Sequence, residues 1–207
     1  MSIRAAVHGV LFDAVMGWVD HRGFNAIRDE VCGPATGRVL EIGAGSGANL
    51  SHLRTAESIT AIEPDADLRA RYLRRAKRLS RSVSVHAGTA EALPFDDASF
   101  DTVVATLVLC SVDDPDAVVA EIRRVLVPDG VLRFAEHVRS PDPTRAERQD
   151  RWAPVWCRCA GGCRPNRDTL RAIEQGGFAV QQLTRSQMRG APQLVRPLII
   201  GAAQSCA

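Results

Sequence analysis

Residues 100–106 form a nearly unbroken apolar and β-branched run. That is the pattern of a central parallel strand buried on both faces, not of one alternating between core and solvent. Shorter runs of the same kind at residues 38–42, 58–62, 82–86 and 131–136 predict further strands. Between them, apolar positions recur at helical spacing. Val118, Val119, Ile122, Val125 and Leu126 make one such stripe, opened by Asp114 or Pro115 and ended by Pro128-Asp129-Gly130. Another helix is expected after Glu63, with Pro64 in its first turn, where a missing N–H costs nothing. Residues 139–151 are polar and predict a helix leading into a cysteine-rich loop, and residues 169–175 predict a short helix. Residues 178–184 and 198–203 look like a terminal antiparallel pair. Strands alternating with helices at this rhythm predict a doubly wound α/β sheet that takes ligands at the carboxyl ends of its strands.

At the amino end, Val7, Leu11, Ala14, Val15 and Trp18 recur at helical spacing. They predict an amphipathic helix, divided from a second one near Gly23, that packs across the ligand edge as a lid. His8 and Asp13 interrupt this stretch, which falls short of the roughly 20 apolar residues that span a bilayer. No integral membrane anchor is expected.

Composition narrows the class. The 207 residues, 45% of them hydrophobic, can bury a substantial core as one domain. The net charge of +2 balances 26 basic against 24 acidic residues, with Lys77 the single lysine, so arginine usage reads as genome composition and not as a binding surface. Arg69, Arg71, Arg74, Arg75, Arg78 and Arg81 spread around several faces of one predicted helix, with Tyr72 the only aromatic among them. A solvated face is expected there, and no nucleic-acid partner. The six cysteines, with no signal-peptide pattern ahead of them, read as free thiols in a reducing cytoplasm. Cys157, Cys159 and Cys163 are spaced C-x-C-x-x-x-C, whereas zinc sites usually combine C-x-x-C pairs with a fourth ligand. No histidine follows Cys163, and no metal site is expected.

Candidate chemistry starts at Gly43-Ala44-Gly45-Ser46-Gly47, directly after the first predicted strand and before a helix start. Glycines belong where the backbone takes positive φ or must approach a ligand closely. Dinucleotide-binding chains carry G-x-G-x-x-G at such a turn; the spacing here is G-x-G-x-G. Glu63 ends the second predicted strand, where a carboxylate accepts hydrogen bonds from ribose hydroxyls of a dinucleotide or of another nucleoside cofactor alike.

The next segment separates those classes. Gly88-Thr89-Ala90-Glu91, followed by Leu93-Pro94-Phe95-Asp96-Asp97-Ala98-Ser99-Phe100-Asp101, resembles the small polar loop and L-P-F-x-D-x-S-F-D run of class I S-adenosylmethionine-dependent methyltransferases. The resemblance implies a Rossmann-like, seven-stranded sheet with an N-terminal helical lid, S-adenosylmethionine as methyl donor and S-adenosylhomocysteine as product. The layout it implies is a lid over residues 1–36, a cofactor-binding core over 37–138, and an acceptor-side insertion with terminal strands over 139–207. Carried over position by position, the cofactor residues are Glu41, Gly43, Ala44, Gly45, Gly47, Glu63, Pro64, Thr89, Ala90, Glu91, Thr106 and Leu107. Thr89 stands where many members have an aspartate for the adenine amino group. Asp65 serves either the ribose or the positive end of the following helix.

A narrower resemblance lies in the second half. Thr106-Leu107-Val108-Leu109-Cys110-Ser111-Val112, Glu136-His137-Val138, Gly161-Gly162-Cys163 with Arg167-Asp168-Thr169, and Val195-Arg196-Pro197 are similar to the branch containing the animal thiol S-methyltransferases and their bacterial relatives. That branch implies transfer to the thiol of a small molecule; its animal members carry a hydrophobic membrane anchor that this sequence does not show, so a soluble, cytoplasmic enzyme is expected instead. Such a thiol must lose its proton, and His137 is the candidate base, since imidazole is the side chain that titrates near neutrality. A histidine that caps the strand end by hydrogen bonding fits the position equally. Cys110 is expected to be a buried packing residue. Trp152, Trp156 and residues 157–163 fall where the superfamily covers its acceptor, either shaping an apolar pocket or only packing. A phospholipid amine or quinone-like phenol as acceptor, and a non-catalytic cofactor-binding protein, stay open as alternatives. The sequence does not set the oligomeric state.

Overall fold

The computed structural model describes residue 14 and residues 16–206. In chain order the elements are helix α1 (Asn25–Cys32), strands β1 (Gly37–Ile42) and β2 (Ala56–Ile62), helix α2 (Ala66–Arg78), strands β3 (Ser84–His86) and β4 (Phe100–Thr106), helix α3 (Pro115–Val125), strand β5 (Leu126–His137), helices α4 (Pro143–Cys159) and α5 (Thr169–Gln175), and strands β6 (Phe178–Gln187) and β7 (Pro197–Ser205). They form a seven-stranded sheet ordered β3-β2-β1-β4-β5-β7-β6. Strands β1 to β5 pair in parallel, β7 runs antiparallel to β5, and β6 antiparallel to β7. The carboxyl ends of the parallel strands, at Ile42, Ile62, His86, Thr106 and His137, therefore share one edge. The strand order reverses between β1 and β4, which makes the crevice at their ends the expected ligand position.

Side-chain alternation splits the core into two layers. Leu40, Ile42, Val103, Ala105, Leu132 and Phe134 pack with Val118, Val119 and Ile122 of α3 and Ile173 of α5. On the other face, Val39, Val104 and Ala135 pack with Val31 and Cys32 of α1 and with Tyr72 and Ala76 of α2. Aspartates start the helices by accepting first-turn backbone N–H groups: Asp65 from Leu68 at 2.9 Å, Asp114 from Asp116 at 3.0 Å, and Asp142 from Arg145 at 2.8 Å.

Several expectations shift. Pro64 precedes the Asp65 cap of α2 and so lies outside the helix, because the carboxylate, not the proline ring, sets its start. The Pro128-Asp129-Gly130 turn is absorbed into β5, where pairing jumps from Phe100↔Leu126 to Thr102↔Val131 across a bulge. After the glycine loop only a 3-10 turn, Ala48–Ser51, forms in place of a full helix. Its Asn49 side chain is drawn beneath the loop into bonds with Glu41, Thr106 and Arg28, and asparagine in such a role competes with helical pairing. Helix α4 continues through Cys157 and Cys159, so only Cys163 of the three clustered cysteines lies in a loop.

At the amino end, residues 16–19 are helical, and the kink expected near Gly23 occurs there, at φ 119°. Val7, Leu11 and Val15 of the expected lid stripe lie outside the described residues. Of the remainder, Ala14 is exposed and Trp18 is 47% exposed, while Val19 is buried. The buried face is thus turned by one position from the expected stripe. Trp18 instead has the Arg22 guanidinium 4.8 Å over its ring. Among the described residues, no helix is long and apolar enough to cross a membrane.

Candidate functional site

The glycine loop turns back from the end of β1 through Gly43, Gly45 and Gly47 at φ 55°, 55° and 83°. A Cβ on Gly43 would lie 2.6 Å from Val108 Cγ2, and one on Gly47 would lie 3.0 Å from the Tyr72 ring. Both positive φ and close packing therefore demand glycine. Ala44 donates its N–H to the Ile62 carbonyl at 3.1 Å, joining the loop to the end of β2.

Two buried carboxylates fix this loop. Glu63 accepts the Gly45 N–H at 2.8 Å on one oxygen and the Asp65 N–H at 3.0 Å on the other. Glu41 accepts the Asn49 amide at 2.9 Å and the Tyr72 hydroxyl at 2.8 Å. Asn49 also donates to Thr106 Oγ1 at 2.8 Å, while its oxygen accepts from Arg28 at 2.6 Å. Arg28, itself buried, reaches on to Asp20 at 2.9 Å. The chain Asp20–Arg28–Asn49–Glu41–Tyr72 thus ties the amino-terminal helical region, the glycine loop, the tip of β4 and α2 into one unit. Burial raises the Glu41 carboxyl to about 7, against the opposing bonds from Tyr72 and Asn49. It raises Glu63 too, opposed by the N–H groups of Asp65 and Gly45.

The remaining expected cofactor residues lie on the same edge with less mutual contact. Pro64 is exposed, and its carbonyl accepts from Arg69 at 2.7 Å. Thr89 is exposed and Ala90 buried. The Glu91 carboxylate turns to the Asp113 N–H at 3.1 Å, across to the segment after β4. Leu107, next to Thr106 at the mouth of β4, holds a left-handed φ of 60°, a conformation that costs a branched residue free energy.

Beyond Leu107 a third buried carboxylate serves as an anchor. Glu136 at the end of β5 accepts the Val108 N–H at 2.9 Å and the Cys110 N–H at 3.1 Å, and burial raises its carboxyl. Gln149 of α4, fully buried, accepts the Ser140 N–H at 2.7 Å and donates toward the carbonyls of Val138, Pro165 and Leu194. That amide fastens α4 across the carboxyl end of β5.

His137 is buried among sulfurs. Its Nδ1 lies 3.5 Å from Cys163 Sγ and 3.7 Å from Cys110 Sγ, and the two sulfurs are 3.9 Å apart. Its Nε2 is buried with no hydrogen-bond partner among the described residues, so the ring does not cap the strand end through that atom. Cys110 is buried, as expected of a packing residue, yet it also belongs to this cluster. The contact with Cys163, with burial behind it, holds the Cys110 thiol well above the ordinary range, and the same contact draws Cys163 below it. Trp156 packs against this region, but Trp152 is 54% exposed on the outer side of α4 and lines no interior surface.

Spacing did not reveal Arg28, Asn49, Tyr72, Glu136 or Gln149 as site-building residues. Their partners lie on other elements, and only the Glu136-His137-Val138 run carried a signal at all.

A family model described as a methyltransferase domain matches residues 40–134. The chain is 35% identical to the Homo sapiens thiol S-methyltransferase TMT1B, over 73% of this chain and 64% of that protein. It is 32% identical to Homo sapiens thiol S-methyltransferase TMT1A, over 80% of this chain and 69% of the relative. It therefore spans about two thirds of the length of these curated relatives. Among solved structures, the [4+2]-cyclase SpnF superposes with a TM-score of 0.73 at 21% identity, covering 90% of this chain and 81% of SpnF. At that identity the likeness concerns the fold alone.

Proposed function

The chain belongs to the class I S-adenosylmethionine-dependent methyltransferases, and on that premise we propose that it transfers a methyl group from S-adenosylmethionine to the thiol of a small molecule, in the cytoplasm. S-adenosylmethionine, once bound, supplies an electrophilic methyl group on a sulfonium, and S-adenosylhomocysteine is left.

The residues present fit this cofactor. Each Glu63 oxygen accepts one backbone N–H, and a carboxylate oxygen can accept a second bond. A ribose diol can therefore be added without breaking the loop's own support. Gly43, Ala44, Gly45 and Gly47 keep the backbone bare where the methionine portion would lie, and Glu41 holds that loop from beneath through Asn49. Thr89 and Ala90 are assigned to the adenine, with Pro64 and Glu91 at the margins of the nucleoside. Thr106 and Leu107 shape the wall beside the methyl group. The lid role of the amino-terminal helices is supported by the Arg28 bond to Asn49.

Displacement at a methyl carbon needs alignment and an ionised nucleophile. A free thiol, with a pKa near 8.5, is only a few per cent thiolate at neutral pH. We assign His137 to the acceptor's proton, through the Nε2 that has no hydrogen-bond partner among the described residues. Glu136 would position that ring indirectly, by fixing the segment from Val108 to Cys110 that packs on it.

The observation that carries the thiol assignment is the 35% identity to a thiol S-methyltransferase over 73% of the chain. Incubating the protein with labelled S-adenosylmethionine and panels of thiols, phenols and lipid amines tests it. Labelled thioethers are the expected products. Transfer confined to oxygen or nitrogen defeats the thiol assignment, and tight cofactor binding without transfer to any acceptor defeats the enzymatic one.

A further inference from the structure

We propose that Cys110, His137 and Cys163 form a binding site for one zinc(II) ion. The three residues come from separate elements: the segment after β4, the end of β5, and the turn after α4. They bring their ligand atoms within 4.8 Å of one another, and all three are buried.

The geometry is that of a tetrahedral ion. Zinc sits about 2.3 Å from thiolate sulfur and about 2.0–2.1 Å from imidazole nitrogen. At tetrahedral angles those bonds separate two sulfurs by about 3.8 Å, and a sulfur from a nitrogen by about 3.6 Å. The observed edges are 3.9 Å for Cys110 to Cys163, 3.7 Å for Cys110 to His137 and 3.5 Å for Cys163 to His137. Each agrees with the ideal to about 0.1 Å, so the three ligand atoms already stand at the separations that a tetrahedral zinc ion requires. Two soft sulfurs and one imidazole select zinc over magnesium or calcium, which take oxygen ligands.

The other clustered cysteines are poorly placed to join. Cys157 Sγ is turned to the Gly162 carbonyl at 3.3 Å, and Cys159 is exposed. Three protein ligands leave one coordination position for an external group, as in zinc sites that do chemistry. The C-x-C-x-x-x-C spacing concealed this set, because only one of its three cysteines takes part and the others lie far away in the chain.

The site bears on His137 directly. An imidazole that gives Nδ1 to an ion keeps its proton on Nε2 and cannot take another there. Zinc binding and the base role thus exclude one another on the same ring, and the base role belongs to the metal-free chain. The zinc site itself does not depend on the acceptor being a thiol.

Cobalt(II) substitution tests it without reference to methyl transfer. Titration of the reduced, metal-free protein is expected to give one equivalent of tetrahedral cobalt, with a sulfur-to-cobalt charge-transfer band and intense visible bands that zinc displaces. Cys159→Ser and Cys206→Ser should keep the signal. Cys110→Ser, Cys163→Ser and His137→Ala should weaken binding by more than the roughly 10–100-fold that loss of a supporting group brings. If those buried variants fail to fold, alkylation of the wild-type chain decides: zinc should protect Cys110 and Cys163 and leave Cys159 and Cys206 reactive. Absence of the charge-transfer band in reduced protein, unchanged reactivity of Cys163 with zinc, or a Cys110–Cys163 disulfide that persists under reducing conditions would overturn the proposal.

Discussion

The Glu63 carboxylate accepts the Gly45 N–H at 2.8 Å, so the acidic residue that ends β2 also sets the conformation of the glycine loop that ends β1. On the proposed assignment of Glu63 to the ribose, cofactor recognition and loop shape would share one side chain. Glu63→Ala should weaken S-adenosylmethionine binding by about 1.5–3 kcal/mol, the range for hydrogen bonds to charged groups. Calorimetric titration measures this. Wild-type affinity in the variant would remove Glu63 from the cofactor site.

Gly43→Ala imposes both a left-handed φ of 55° on an L residue and a 2.6 Å approach to Val108. The first alone costs roughly 1–2 kcal/mol. Adding Val108→Ala relieves the contact but not the backbone strain, so the double variant should be more stable than the sum of the single losses predicts. Urea unfolding of the three proteins checks it, and strict additivity would mean the Val108 contact does not limit the loop.

Arg28 links Asp20 to Asn49 from a buried position. Arg28→Met strips both oxygens of their partner, and breaking such a pair costs about 3–5 kcal/mol when fully buried. With Asp20 partly exposed, a loss of about 3 kcal/mol is expected, at the low end of that range. A weaker hold on S-adenosylmethionine should accompany it, because Asn49 loses its anchor. A stability change within about 0.5 kcal/mol, the scale of ordinary surface substitutions, would contradict the network.

Burial raises the Glu41 carboxyl from 4.5 to about 7. Between those values the native chain binds more protons than the unfolded chain, so the group's contribution is complete below the unfolded pKa and is lost as pH rises through the native one. The full effect is about 3 kcal/mol at most. Glu63 and Glu136 are shifted in the same direction, so stability should fall from weakly acidic to neutral pH in the wild type. Glu41→Gln keeps the Asn49 bond through its amide oxygen and can donate to the Tyr72 hydroxyl. It should flatten this slope by up to one proton in urea unfolding across the window; an unchanged slope would contradict the assignment.

His137→Ala in the metal-free protein should lower kcat/KM for an alkyl thiol at neutral pH by about 10²–10⁴, the usual share of a general base. The loss should shrink as pH approaches the acceptor's own pKa near 8.5, and it should be small for an acidic aryl thiol. Equal losses for both thiols at every pH would mark His137 as structural.

Much of the architecture could be read along the chain because it rests on local signals. The β-branched run of β4, the Asp114-Pro115 start of α3 and the glycine spacing each report the backbone they adopt. What escaped was set by partners distant in sequence. Asn49 reaches Thr106, Glu136 reaches Val108, and Cys163 reaches Cys110 only once the sheet has formed. Trp18 misled the reading of the amino-terminal helix because an amphipathic indole can lie half exposed beneath an arginine. Pro64 did so because a proline beside an aspartate marks the same helix end from either side of the cap.

Methyl transfer to sulfur is tested by competition between two acceptors that differ only in carrying a thiol or a hydroxyl on the same carbon frame. With labelled S-adenosylmethionine limiting, all label should appear in the methyl thioether, and S-adenosylhomocysteine should form in equal amount. Label in the methyl ether, or S-adenosylhomocysteine formed only when an amine or phenol is supplied, would rule out a thiol acceptor.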